Sequence, residues 1–345
     1  MHTPLLRYHG GKYRLSSWLY GFFPQHRVYV EPFGGAASVL LRKPRSHGEV
    51  YNDLDQDIFN LFQVLRDKER AQRLIELCQL TPYSRDEFEL AYQVCEEPVE
   101  RARRTIVRSA MGFGSGAATG HKTGFRSDAS RQYANEAACW RRYPPVLRYV
   151  HARLQGVNIE NRCALTCMTK NDSLHTLHYV DPPYVPDTRK LNHSGRVYRH
   201  EMNMDEHETL LCQLQGLQGM VVLSGYDSTL YNDVLTGWQK HTRQARISAG
   251  RGTGIRTECV WLNSQSVEAL QVGSIGKHHT SHSAHLSHQV RADKSEKAIE
   301  LAIAELQQTG QPVSKAAVAR IVGLRREHIS RRYGHCFKET SCNMH

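Results

Sequence analysis

The stretch TLHYVDPPYVPD, residues 176–187, ends an apolar run in a carboxylate and follows it at once with two prolines and a tyrosine. Pro182 and Pro183 stiffen the chain and carry no N–H, so the segment gives up strand pairing at its tip. What it gains is a fixed set of groups: the Asp181 carboxylate, the Pro182 carbonyl and the Tyr184 ring. Two acceptors beside a flat ring suit an exocyclic amino group on a planar base. The lone pair of such an amine is delocalised into its own ring. Acceptors that hold its two hydrogens out of plane would localise that pair and aim it at an electrophile. Stacking on Tyr184 needs the ring and no hydroxyl.

A second candidate is EPFGGAA, residues 31–37. Glycines between a strand and a helix let a ligand approach the backbone and meet helix N–H groups. The same glycines also serve a tight turn with no ligand. Asp53 ends the next strand about 20 residues further on, where an acid accepts hydrogen bonds from ribose hydroxyls. Together the two point to a cofactor that contains adenosine.

These groups need a scaffold that brings strand ends together. RVYVEPFGGAASVLL reads as a strand at 28–31, a glycine turn and a helix from about Ala36. EVYND ends a second strand, ahead of the helical pattern Ile58, Leu61, Phe62 and Leu65. This β-α-β-α rhythm predicts a parallel sheet with helices on its faces. The rhythm breaks over 69–110, which reads as mostly helical, and over 112–135, whose Gly, Ser, Thr and basic residues read as an exposed binding loop. Strands resume at GVNIE, LHYVD, GMVVLSG and TECVWLN, with helices near 205–216 and 228–236. The expected fold class is α/β, with a catalytic domain of 1–68 and 156–272 split by an insertion over 69–155. A polar linker over 273–292 and a small all-α domain over 293–345 follow.

The chain of 345 residues carries a formal charge of +11 and a pI near 9.2, which favours polyanions, nucleic acid first among them. No run approaches the roughly 18 apolar residues of a membrane helix, and the first residues lack a signal-peptide core. A cytoplasmic protein with no membrane partner is expected. Nine cysteines, odd in number and irregularly spaced, read as reduced thiols.

HGGKYRL, YVEPFGGAASVLL, YNDLDQD and YVDPPY, in this order with a long insertion before the last, resemble the Dam-like DNA adenine-N6 methyltransferases over about residues 5–265. The resemblance implies a Rossmann-like S-adenosylmethionine-dependent methyltransferase sheet with an inserted helical and loop target-recognition domain. It implies S-adenosylmethionine as cofactor, double-stranded DNA as partner and a target adenine flipped out of the duplex. A bacterial or phage host, and in some cases a cognate restriction endonuclease, goes with such enzymes. Carried over residue by residue, the cofactor site would comprise Tyr8, Lys12, Glu31, Pro32, Phe33, Gly34, Gly35, Asp53, Asp172 and Asp181. Within it Phe33, Gly34 and Gly35 would line the methionine moiety, Asp53 would bind ribose, and Asp172 would lie near the cofactor adenine. Asp181, Pro182, Pro183 and Tyr184 would form the catalytic tetrapeptide, working by direct displacement without a metal. Lys12 would lie at the cofactor and DNA end of the pocket, and His121, Lys122 and Arg126 are further candidate DNA contacts. The loop departs from the family pattern at Ala37, which fills the last glycine position. The insertion lacks a clear counterpart of the segment that reads GATC, so that recognition site is not carried across.

The last unit has its own signature. SKAAVARIVGLRREHISRRY spaces Ala319, Gly323 and Ile329 as a helix-turn-helix does, with Arg325, Arg326 and Arg331 on the second helix facing phosphates and base edges. A helical packing module with a solvated basic face is the alternative. His279, His282, His285 and His288 recur in a Ser-rich segment without cysteine or carboxylate partners, and Cys163 and Cys167 lack a second pair, so no metal is expected. Two other functions fit parts of the sequence: methyl transfer to a protein amide or RNA, and DNA-binding regulation on an inactive methyltransferase fold.

Overall fold

Alternation along two neighbouring strands sets the layers of this molecule. Leu177, Tyr179, Met220 and Val222 belong to one apolar cluster, while the intervening Val180, Val221 and Leu223 belong to another. Side chains with a period of two that are apolar on both faces demand a sheet covered on both sides. The computed structural model describes residues 3–114, 122–127, 135–185, 199–249, 252–276, 298–309, 312–322, 329 and 337, with backbone only over 246–249 and 252–255. It places the strands β1 Val28–Glu31, β2 Gly48–Asn52, β3 Val157–Glu160, β4 Thr176–Val180, β5 Met220–Tyr226, β6 Gln239–Ala249 and β7 Gly252–Leu262 in one sheet, in the order β3-β2-β1-β4-β5-β7-β6. The first five run parallel, and β7 joins β5 antiparallel.

The chain winds outward from β1 through β2 to β3, then restarts at β4 beside β1 and winds the other way. Strand ends diverge there and leave a crevice at their carboxyl ends. On one face lie α1 Gln56–Arg66, α2 Lys68–Leu80, α3 Pro98–Met111 and α4 Pro144–Leu154, sharing one core through Leu61, Phe62, Leu74, Ile106, Val107 and Leu147. Residues 69–155 thus contribute helices to the same core as the sheet. On the other face α5 Ala164–Lys170 and α6 Met204–Gly216 pack Met168, Leu210, Leu211 and Leu214.

Two expectations are corrected. The connection after β1 holds turns and no α-helix, because Gly35 (φ +47°) and Ala37 (φ +50°) sit in the left-handed region, which right-handed helix cannot include. Residues 273–276, read as the start of a linker, pack on the N-terminal segment instead. Ser274 bridges Pro24, Ile275 is buried in the main core, and its N–H donates to the Phe23 carbonyl at 2.9 Å.

The chain divides into two compact units, Met1–Lys277 and His278–His345. In the second, residues 298–309 and the helix Lys315–Val322 contribute to a cluster of Ile299, Ala302, Ile303, Leu306, Val318 and Ile329. Gly323 and the expected second helix, with Arg325, Arg326 and Arg331, lie outside the described residues.

Candidate functional site

The crevice at the carboxyl ends of β1 and β4 holds a cavity of about 240 Å³. Each strand end delivers one group to it. Glu31 ends β1, Asp53 follows β2, Ala164 lies just past β3, and Asp181 follows β4. The N-terminal segment closes one side with Tyr8 and Lys12, and Arg199, His200 and Met202 line another.

Lys12 is the buried cation of the site, 4% exposed. Its ammonium donates to the Gly10 carbonyl at 2.7 Å, pairs with Asp181 Oδ1 at 2.9 Å and lies 4.7 Å from the centre of the Tyr184 ring. Burial alone would lower its pKa, but the carboxylates of Asp181 and Glu258 outweigh that and hold the lysine charged. Removing either member of such a pair strands the other charge in a dry site.

Glu31 is buried, with Tyr29 Oη donating to its Oε2 at 2.8 Å and the Leu40 N–H at 3.0 Å. Burial pushes its pKa up to about 8 in spite of those donors, with Asp181 adding repulsion. Asp53 accepts the Gly35 N–H at 2.7 Å and the Asp55 N–H at 2.8 Å, one on each oxygen, and burial raises it to about 6. It therefore fastens the glycine loop to the second strand. A carboxylate has about four acceptor positions, so lone pairs remain for a ligand.

The glycines have packing partners of their own. A side chain on Gly34 would begin 2.1 Å from the Tyr51 ring, and one on Gly35 would begin 2.8 Å from the Tyr8 ring. Tyr51 Oη then donates to the Gly35 carbonyl at 2.6 Å. Close approach by two tyrosines from this chain requires both glycines, whatever a ligand requires. Pro32, also buried here, gives its carbonyl to Asn52 Nδ2 at 2.9 Å. Phe33 is half-buried against the second core.

Tyr184 is 5% exposed and is absent from the cavity wall, where Asp181 and Pro183 do appear. Pro182 is buried behind them. The Tyr184 hydroxyl donates to Glu258 Oε2 at 2.9 Å, and its ring meets Tyr226 edge-on at 4.4 Å. That bond gives the hydroxyl a structural partner, separate from any stacking on the ring. Ser224 sits on β5 beside Asp181. Sequence reasoning missed Ser224, Tyr226 and Glu258. Their signals were a polar Ser-Gly-Tyr ending an apolar strand, and the single acid of β7.

Asp172 does not reach the cavity. Its oxygens accept the Gln218 and Gly219 N–H groups at 2.8 and 3.0 Å and pair with His178 Nε2 at 3.0 Å. It lies before β4, and so staples the amino ends of β4 and β5, at the opposite end of the sheet from Asp181. The basic loop is also tied down where it is described. Arg126 pairs with Glu136, and Lys122 pairs with Glu89 at 2.7 Å. His121 lies outside the described residues. Among the described residues no group of three or more potential metal ligands is found, and no helix is long and apolar enough to cross a membrane.

A switch-point cavity with a carboxylate at each of three strand ends suits a ligand that carries hydroxyls and positive charge. The comparisons with known proteins agree in kind. The sequence model of the D12 class N6 adenine-specific DNA methyltransferases matches residues 8–248. A protein named DNA adenine methylase, from Haemophilus influenzae (strain ATCC 51907 / DSM 11121 / KW20 / Rd), is 24% identical over 253 residues, covering 68% of this chain and 84% of its own length.

Proposed function

Because this chain belongs to the D12 class N6 adenine-specific DNA methyltransferases and so methylates adenine N6 in DNA, we propose that S-adenosylmethionine binds in the β1–β4 crevice and that Asp181 orients the target amine beside it. The residues present fit such a cofactor. Asp53 and Glu31 offer carboxylates to hydroxyls and to a cationic centre, and Phe33 and Met202 offer apolar wall. A carboxyl held at about 8 by burial marks a place where an arriving positive charge would be stabilised. Bound there, S-adenosylmethionine supplies a sulfonium methyl as the electrophile.

The observation that carries the reading is the Lys12–Asp181 pair at the mouth of the crevice. Burial raises the Asp181 carboxyl, and Lys12 opposes that shift while fixing one of its oxygens. Free lone pairs on the same carboxylate accept from the N6 amino group of a base flipped out of the duplex. Pro182 and Pro183 hold that carboxylate against the pull of a charged partner. Backbone and lysine are in place before substrate arrives, so little reorganisation is needed in the transition state. Residues 69–155 serve target recognition in this reading, and 293–345 add a helix-turn-helix for duplex DNA. A cytoplasmic setting follows from the substrate.

The test is expression in cells that lack adenine methylation, with modified adenines mapped by long-read sequencing. A short sequence motif modified throughout is expected, and such a motif is also what a cognate restriction endonuclease would cut. Asp181→Ala should lower single-turnover methyl transfer by roughly 10²–10³-fold or more while cofactor binding survives. A near wild-type rate in that variant would remove Asp181 from the chemistry.

A further inference from the structure

The cavity wall at Arg199, His200 and Met202 leads straight into α6. Its far end is anchored by packing and a cap. Met202 rests on the second core, and Asn203 accepts the Glu206 N–H at 2.9 Å while donating its own N–H to Glu206 Oε2 at 2.7 Å. Its near end is held by charge. Arg199 Nη1 donates to Asp55 Oδ1 at 3.0 Å and Nη2 to Asp57 Oδ2 at 2.9 Å. Asp55 and Asp57 stand at the start of α1, on the other face of the sheet from α6. One guanidinium therefore ties together the two layers that flank the crevice.

The two carboxylates depend on this arginine unequally. Asp57 also pairs with Arg101 at 2.7 Å and with Arg108 at 3.0 Å, both from α3. Asp55 is buried, its Oδ2 makes no hydrogen bond, and among the described residues Arg199 is the one cation paired with it. A buried carboxylate with an unserved oxygen is costly to leave without its counter-charge, which fixes Arg199 in place. Asp55 in turn sets Asp53: its N–H donates to Asp53 Oδ1 at 2.8 Å, while Asp53 Oδ2 takes the Gly35 N–H at 2.7 Å. Arg199, Asp55, Asp53 and Gly35 thus form one connected series, and all four line the cavity.

We infer that Arg199 is a positioning residue for the cofactor, holding the wall of 199–202 in place and steadying Asp53 through Asp55. The inference rests on the crevice as the S-adenosylmethionine site. Arg199 acts without touching the cofactor, because a wall ordered before binding spares the ligand the cost of ordering it. Charge and position predict opposite signs. Removing a cation from the wall should tighten binding of a sulfonium if Coulomb's law alone decides, whereas loss of position should weaken it.

The test titrates S-adenosylmethionine calorimetrically into full-length wild type, Arg199→Gln, Arg199→Lys and Arg101→Gln, with urea unfolding to show that each is folded. Arg199→Gln should bind roughly tenfold more weakly. Arg199→Lys, a point charge that serves one carboxylate, should lose roughly threefold. Arg101→Gln takes a guanidinium from the same cluster but not from the cavity wall, and should bind as wild type does. S-adenosylhomocysteine, which has no sulfonium, should show the same losses. In methyl transfer to duplex DNA, the Arg199→Gln KM for cofactor should rise by its loss in affinity while kcat stays within about twofold. Unchanged or tighter binding in a folded Arg199→Gln overturns the inference, as does equal weakening in Arg101→Gln, which would mark a general structural role. Should Arg199→Gln fail to fold, wild-type affinity in Arg199→Lys overturns it. A wild type that binds no S-adenosylmethionine sinks the crevice reading and this inference with it. Binding that is equal in wild type and variants sinks the inference alone.

Discussion

Glu31 and Asp181 end neighbouring parallel strands and burial raises both carboxyls, but it is Asp181 that pairs directly with an ammonium, that of Lys12. That difference sets their chemistry. Glu31, at about 8, contributes stability that is complete below the unfolded value of 4.5 and is lost as pH rises through about 8. A cation that needs Glu31 ionised therefore binds more weakly as pH falls below about 8. S-adenosylmethionine affinity, measured by calorimetry, should drop by up to about tenfold per pH unit there. Glu31→Gln should flatten that dependence and raise the thermal midpoint at alkaline pH. A second residue-scale expectation concerns Tyr184. Tyr184→Phe keeps a ring for stacking but leaves the buried Glu258 short of a donor, at about 1–3 kcal/mol by urea unfolding. In Glu258→Gln the same change should cost clearly less, and equal costs in both backgrounds would deny the bond its role.

At the scale of elements, the loop between β1 and β2 is set by aromatic packing as much as by any ligand. Gly34→Ala would drive a methyl into the Tyr51 ring and should cost about 3 kcal/mol. Ala37 shows the opposite balance. Its left-handed backbone costs about 1–2 kcal/mol, yet the buried methyl and the stiffer unfolded chain return nearly as much. Ala37→Gly should thus change stability by less than about 1 kcal/mol and leave cofactor affinity intact, whereas Ala37→Val, β-branched at positive φ, should cost more than about 2 kcal/mol. Urea midpoints of the three variants check the ranking. The departure at Ala37 from a glycine-rich loop is therefore a tolerated strain. It is not a sign of an inactive fold.

For the whole molecule, the division at Lys277 predicts what can be removed. A chain ending there keeps Ser274 and Ile275 on the N-terminal segment and every group around the cavity. It should fold in one cooperative transition and transfer methyl at saturating DNA, while DNA affinity and its salt dependence fall with the basic C-terminal unit. A chain ending at 272 should be less stable, because it loses the buried Ile275 and the Phe23 bond. Equal unfolding midpoints for the two lengths would show that 273–276 add nothing.

The sequence by itself determined the groups that recur at strand ends, because local chemistry is written locally. Alternating apolar runs made the strands, prolines stopped one of them, and Asp181 was marked as the carboxylate at its tip. Polar β6 escaped notice, since QKHTRQARISA pairs only with β7 among the described residues and shows no buried side chain over 239–245. Asp172 was misplaced for a related reason: spacing puts it near β4 in the chain but does not say which end of the sheet it serves. Only the tertiary structure decided that Lys12 would meet Asp181 and that Glu258 would meet Tyr184 across 74 residues. Parallel strands from distant segments converge at a switch point whose position depends on strand order. Strand order is fixed by how helices cover both faces of the whole sheet, and no single stretch contains it.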